Sequence, residues 1–154
     1  MPSKLQEELK QAIPIKRIEE EAYLSIVRTA AVLEHSLAQA LKPYDITPTQ
    51  YNVLRILRGS GETGLCRNEV GCRLVRAVPD VTRLLDRMEE MGMIVRERGT
   101  EDRRLVSTRI TKKGSDLLAR LDDRIDEIHA EQLGHISKRD LKTLVALLGD
   151  IRDR

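Results

Sequence analysis

From about Lys16 to Leu41 the apolar residues Ile18, Ala22, Ile26, Leu33, Leu37 and Leu41 recur at helical spacing, with Glu19, Glu20, Arg28 and Glu34 between them. That pattern predicts a long amphipathic helix, and Lys42-Pro43 ends it because the residue before a proline is pushed out of the helical region. The segment ahead of it, residues 4–12, reads as short and polar, broken by Ile13-Pro14. Thr47-Pro48-Thr49-Gln50 predicts the next helix start: Thr47 caps, Pro48 suits the first position and Gln50 completes a capping box. Val53, Leu54, Ile56 and Leu57 form its buried face, and Gly59-Ser60-Gly61 stops it. After a turn at Gly64, Arg67 to Val75 reads as a short helix with Val70, Leu74 and Val75 inward. Arg76-Ala77-Val78 is a tight connection, and Pro79 is expected to open a further helix with Asp80 in its first turn. That helix buries Val81, Leu84, Leu85 and Met88 and is capped by Gly92.

The period then changes from that of a helix to that of a strand. Met93–Arg98 and Leu105–Ile110 predict two antiparallel strands, and Gly99-Thr100-Glu101-Asp102 between them is rich in turn formers. Thr111 caps the following helix, which carries Leu117, Leu118, Leu121, Ile125 and Ile128 on one stripe. Gly134 interrupts, and Ser137 to Asp140 reads as a capping box for a last helix with Leu141, Leu144, Val145, Leu148 and Ile151. Two short helices joined by a tight turn and followed by a hairpin make a winged helix-turn-helix, in a mostly α chain with a small β-hairpin wing. The first and last long helices carry more apolar stripe than the middle section can cover. Ile18, Ala22, Leu141, Leu144, Val145 and Leu148 are therefore expected to bury themselves in a two-fold homodimer. The organisation expected is a helical dimerisation segment at 1–43, a winged helix-turn-helix at 44–114 and a second dimerisation segment at 115–154.

Composition narrows the choice. With Tyr23, Tyr44 and Tyr51 as the whole aromatic complement of 154 residues, there is no row of rings on which single-stranded bases could stack. No apolar run reaches the roughly 18–20 residues of a membrane span, and the N-terminus shows no hydrophobic signal core, so a cytoplasmic location is expected. The chain holds 27 Lys+Arg against 25 Asp+Glu, a balance that hides a local excess. Within 96–113 there are seven basic residues (Arg96, Arg98, Arg103, Arg104, Arg109, Lys112, Lys113) against three acidic ones. An Arg-rich cluster offers planar forks for phosphates and guanine edges; a solvated charged face is the alternative.

TPTQYNVLRILRGSGETGL (47–65), VPDVTRLLDRMEEMGMIVRERGTEDRRLVSTRITKKG (78–114) and the closing leucine-rich helix resemble the MarR (multiple antibiotic resistance regulator) family of dimeric bacterial transcription factors. The likeness covers roughly residues 18–152. It implies a regulator of transcription, a repressor, that binds a pseudo-palindromic duplex as a homodimer. Asp80, Thr82, Arg83 and Arg87 are the polar residues at the start of the recognition helix, with Thr82 and Arg83 best placed for bases or phosphates. Arg87 has the alternative of an intrahelical ion pair. Arg76 in the turn either clamps a phosphate or caps the preceding helix. In the wing, Asp102 and Arg104 lie two apart on what reads as extended chain, so the carboxylate can hold the guanidinium straight. The family pattern implies that this Arg enters the minor groove, whose negative potential favours it. Arg103 faces the other way, towards phosphate, and Arg98, Arg67, Asn68 and Lys112 are further backbone contacts.

The resemblance also implies a small aromatic or anionic effector between the dimer helices and the DNA-binding lobe, with Arg28, His35, Tyr44, Tyr51 and Asn52 as candidates. Simple packing of the two tyrosines is the alternative. Cys66 and Cys72 lack zinc spacing and are six positions apart, a poor fit for a bridge within one helix; structural thiols are expected, with redox response as the alternative. His129, Glu131 and His135 cluster in sequence without a clear further ligand, so no metal is expected. No nucleophile elbow, phosphate loop or dinucleotide loop is visible, so neither catalysis nor a cofactor is expected. The remaining rival is a winged helix kept only for protein interaction, and steep salt dependence of DNA binding separates the two.

Overall fold

A computed structural model describes residues 1–154. Its elements are α1 (Lys4–Glu8), α2 (Ile18–Leu41), α3 (Pro48–Ser60), α4 (Arg67–Arg73), α5 (Val81–Glu90), β1 (Ile94–Arg98), β2 (Val106–Ile110), α6 (Lys112–Leu133) and α7 (Lys138–Arg152). The polar N-terminal segment forms a turn of helix because Ser3 and Gln6 cap each other, each side chain accepting the other's backbone N–H. In α2 three glutamates in the first turn complement the helix dipole. The capping box expected at α3 is present: Thr47 Oγ1 accepts the Gln50 N–H at 3.1 Å and Gln50 Oε1 accepts the Thr47 N–H at 3.1 Å.

The core lies where α3, α4, α5, β1 and α6 meet. Val53, Leu54, Leu57, Val70, Leu85, Met88, Ile94, Leu118 and Leu121 are all buried there, joined by Leu41 from the end of α2 and Ile125 and Ile128 from α6. One expected core residue is misplaced. Val75 is 92% exposed, because α4 ends at Arg73 and Leu74 turns to an extended conformation (φ −64°, ψ 136°) that carries the next residue off the helical stripe. Nor does Pro79 open α5. The helix starts at Val81 and Asp80 is its N-cap, the carboxylate accepting the Arg83 N–H at 2.9 Å. A side-chain acceptor at the cap satisfies a donor that proline at the first position would merely leave out.

β1 and β2 pair antiparallel from Ile94 opposite Ile110 to Arg98 opposite Val106. Leu65 adds a single bridge to Thr108, giving and accepting a backbone hydrogen bond at 3.0 and 2.7 Å. This approach requires Gly64, which sits at φ +69° and whose missing Cβ would lie 2.5 Å from the Thr108 carbonyl oxygen. Gly114 plays the corresponding part at the start of α6, where a Cβ would lie 2.5 Å from the Met93 carbonyl oxygen.

The ends of the chain leave apolar surface uncovered. On α2 the residues Ile18, Tyr23, Val27 and Val32 are exposed, as is Ala22. No residue of α7 is buried; Leu144, Val145, Leu147 and Ile151 are exposed, while Leu141 and Leu148 are half-buried. At the start of α7, Ser137 Oγ accepts the Asp140 N–H, but the Asp140 carboxylate accepts from the Ser137 hydroxyl (2.7 Å), so the expected box closes through the side chains. An aspartate is one methylene shorter than the glutamate of a full box.

Candidate nucleic-acid interface

Helices α4 and α5 are joined by the turn Leu74–Asp80, and β1 and β2 follow directly, so the chain builds a helix-turn-helix with a wing from one continuous stretch. Arg67, at the first position of α4, donates from Nη1 to Thr82 Oγ1 at 2.9 Å and so ties the start of one helix to the start of the other. Asn68, Arg83 and Arg87 are exposed, and Arg83 and Arg87 form no ion pair. Asp80 is committed to the helix cap.

At the wing tip the expectation of an extended Asp102–Arg104 segment is corrected. Residues 102–105 form a turn closed by the Leu105 N–H on the Asp102 carbonyl oxygen (3.2 Å). The Asp102 carboxylate accepts the Arg104 backbone N–H at 3.0 Å and its Nε–H at 3.3 Å. Aspartate favours such a turn because its side chain can bond the backbone two residues on, and the same carboxylate orients a guanidinium that is 92% exposed. Arg98 and Arg103 are exposed beside it. Lys112 meets Asp116 across one helical turn at 2.9 Å.

Not every cation of the basic cluster is free. Arg109 pairs with Glu97 on the neighbouring strand, and Lys113 Nζ donates to the Met91 carbonyl oxygen at 2.8 Å. Arg96 joins Asp86 (2.6 Å) and Glu89 (3.1 Å), and that hydrogen-bonded guanidinium holds the Glu89 carboxyl below the usual carboxylate range. Counting charge along the sequence gives no sign of these pairings, since Asp86 and Glu89 lie on a different element from Arg96. A groove of about 460 Å³ between α4, α5 and the wing gathers Arg67, Asn68, Thr82, Arg96 and Arg104 along its walls.

A second crevice, about 590 Å³, lies between α2, α3, α6 and the helix-turn-helix turn. Tyr51 and Asn52 line it, together with Glu34, Arg55, Arg76 and His129, which the sequence reading does not place at such a crevice. Arg28, His35 and Tyr44 do not. α2 presents Ala30, Leu33, Glu34 and Leu37 to the crevice, and Arg28 and His35 fall off that stripe, while the Tyr44 ring faces the Arg120 guanidinium at 5.9 Å. Arg76, expected to clamp a phosphate or cap α4, forms an ion pair with Glu34. Asn52 Oδ1 accepts the Val75 N–H at 2.9 Å, and Arg55 donates to the Tyr51 hydroxyl at 3.2 Å. His129 faces this crevice whereas Glu131 pairs with Arg124. Cys66 is the half-buried N-cap of α4, and Cys72 is exposed.

A helix-turn-helix whose recognition helix is pinned at its start, beside a wing that ends in an oriented arginine, defines a DNA-binding regulator of the winged-helix class. Residues 46–106 match the model of the MarR family. The chain is 33% identical over 125 residues to an uncharacterized HTH-type transcriptional regulator, YkoM, of Bacillus subtilis, covering 81% of this chain and 73% of that protein. It is 32% identical to a MarR transcription factor from Planctomyces limnophilus, with a TM-score of 0.68 over 88% of this chain and 98% of that one. MepR of S. aureus, in its complex with DNA, matches at 25% identity and a TM-score of 0.76 over 84% of this chain and 94% of that one. The chain belongs to the MarR family of transcriptional regulators.

Proposed function

We propose that this regulator is a ligand-responsive repressor that grips a pseudo-palindromic operator as a homodimer, with half-sites about one helical turn, roughly 10 bp, apart. The observation that carries the reading is the groove between α4, α5 and the wing, which Arg67, Thr82 and Arg104 line together. Thr82, Arg83 and Arg87 read or flank base edges from α5; Arg67, Asn68, Arg98, Arg103 and Lys112 hold phosphates; Arg104 enters the minor groove, steered by Asp102. Asp80 acts through the helix cap and Arg76 through the crevice. The uncovered faces of α2 and α7 supply the dimer contact, since apolar stripes of this length are covered by a second copy in a two-fold arrangement.

The crevice is the effector site. A small aromatic or anionic compound fits the Tyr51 ring and the cationic groups Arg55 and Arg76. Binding there alters how the turn before α5 is held, and so shifts the population of dimers with correctly spaced recognition helices. Selection of sites from random duplex DNA, followed by titration of the enriched site at 50 and 200 mM salt, tests the reading. A two-fold symmetric site whose affinity falls by orders of magnitude over that range is expected. No enrichment at low salt returns the protein to the class of interaction modules.

A further inference from the structure

We infer that Arg96 is a positioning residue for DNA binding, which sets the recognition helix α5 against the wing by clamping Asp86 and Glu89 and is not itself a phosphate ligand. The inference rests on α5 and the wing being the DNA-facing elements. Asp86 and Glu89 are three apart on α5 and therefore share a face. Arg96 stands on β1, the first strand of the wing, and reaches both: Nη2 lies 2.6 Å from Asp86 Oδ1 and 3.1 Å from Glu89 Oε1, while its backbone N–H donates to Glu89 Oε2 at 2.9 Å. The Glu89 carboxylate thus holds the backbone of the strand through Oε2 and the guanidinium through Oε1.

Exposure separates Arg96 from the arginines that are free to meet DNA. Its side chain is 23% exposed, against 92% for Arg104, and two carboxylates already meet its charge. The start of α5 has its own anchors, the Asp80 cap and the Arg67–Thr82 bond. Arg96 supplies the anchor for the second half, so the two ends of the helix are fixed by different neighbours.

The full-length protein is titrated with its selected duplex by fluorescence anisotropy across a range of salt. Arg96→Met is expected to lose roughly tenfold in affinity for the selected site, the scale of one charged hydrogen-bonding group, with an unchanged slope of log affinity on log salt. Its affinity for random duplex is expected to change less. Arg96→Lys, which keeps the charge without the fork, is expected to fall between the two. In an Asp86→Asn/Glu89→Gln background, already without the clamp, Arg96→Met is expected to change affinity little. A slope smaller by about one, with the same loss in both backgrounds, would make Arg96 a phosphate ligand and overturn the inference. Unchanged affinity in Arg96→Met would overturn it as well. Failure of the wild-type chain to bind any duplex would instead refute the DNA-facing assignment on which the inference rests.

Discussion

Arg104 shows how a single side chain is prepared for the task proposed for it. Its guanidinium stands almost wholly in solvent, yet Asp102 fixes both its backbone N–H and its Nε–H, so part of the rotamer entropy lost on entering a groove is already lost. Replacing Arg104 with Ala is expected to cost about 1–3 kcal/mol of DNA affinity while leaving the oligomeric state intact; a fluorescence titration that shows no loss contradicts the wing assignment. Gly64 governs the same wing from below. Gly64→Ala meets both a positive φ and the Thr108 carbonyl, and is expected to lower stability by about 1–3 kcal/mol, read as a fall in the thermal midpoint.

At the scale of elements, α3 and α5 are each started by a side-chain cap and differ in how they are held thereafter. Thr47→Ala removes one arm of the α3 box and is expected to cost about 1 kcal/mol by chemical denaturation. The clamp on α5 gives a pH signature. Because Arg96 holds the Glu89 carboxyl below its usual range, its contribution is fully present above the ordinary carboxylate pKa and is lost as pH falls through the lowered folded value. In Glu89→Gln that part of the acid-induced loss of stability is expected to vanish, as measured by thermal midpoints from pH 6 downwards. The helices from α2 onward, the hairpin and the capping threonines were legible in the sequence because each is set by local pattern: periodicity, a cap, a turn former. The destinations of Val75, Arg76 and Arg96 were not. Val75 is carried outward by the helix break at Leu74, which the apolar pattern does not mark. Arg76 and Arg96 depend on tertiary neighbours, Glu34 across the crevice and the acids of α5, whose position nothing local encodes. Arg28 and His35 lie off the crevice for a related reason, since one helix can present its crevice stripe at several rotations until its packing is known.

For the whole molecule, the exposed apolar faces of α2 and α7 carry the proposed homodimer. Leu144→Glu or Leu148→Glu is expected to give monomers in light scattering, because a desolvated carboxylate at the centre of an apolar contact carries a large cost; a persisting dimer places the interface elsewhere. The crevice shares its walls between the helices proposed to build the dimer and the turn that delivers α5. Glu34 of α2 reaches Arg76, and Asn52 of α3 holds the Val75 N–H, so whatever fills the space between them touches both the frame and the reading head. Thermodynamic reciprocity then constrains the ligand as much as the operator. An effector that weakens operator affinity by some factor must itself be held less tightly, by that same factor, when the protein is on its operator. On the proposed function, operator-bound copies are for that reason expected to respond last to a rising effector level, with the free pool buffering the signal before transcription changes.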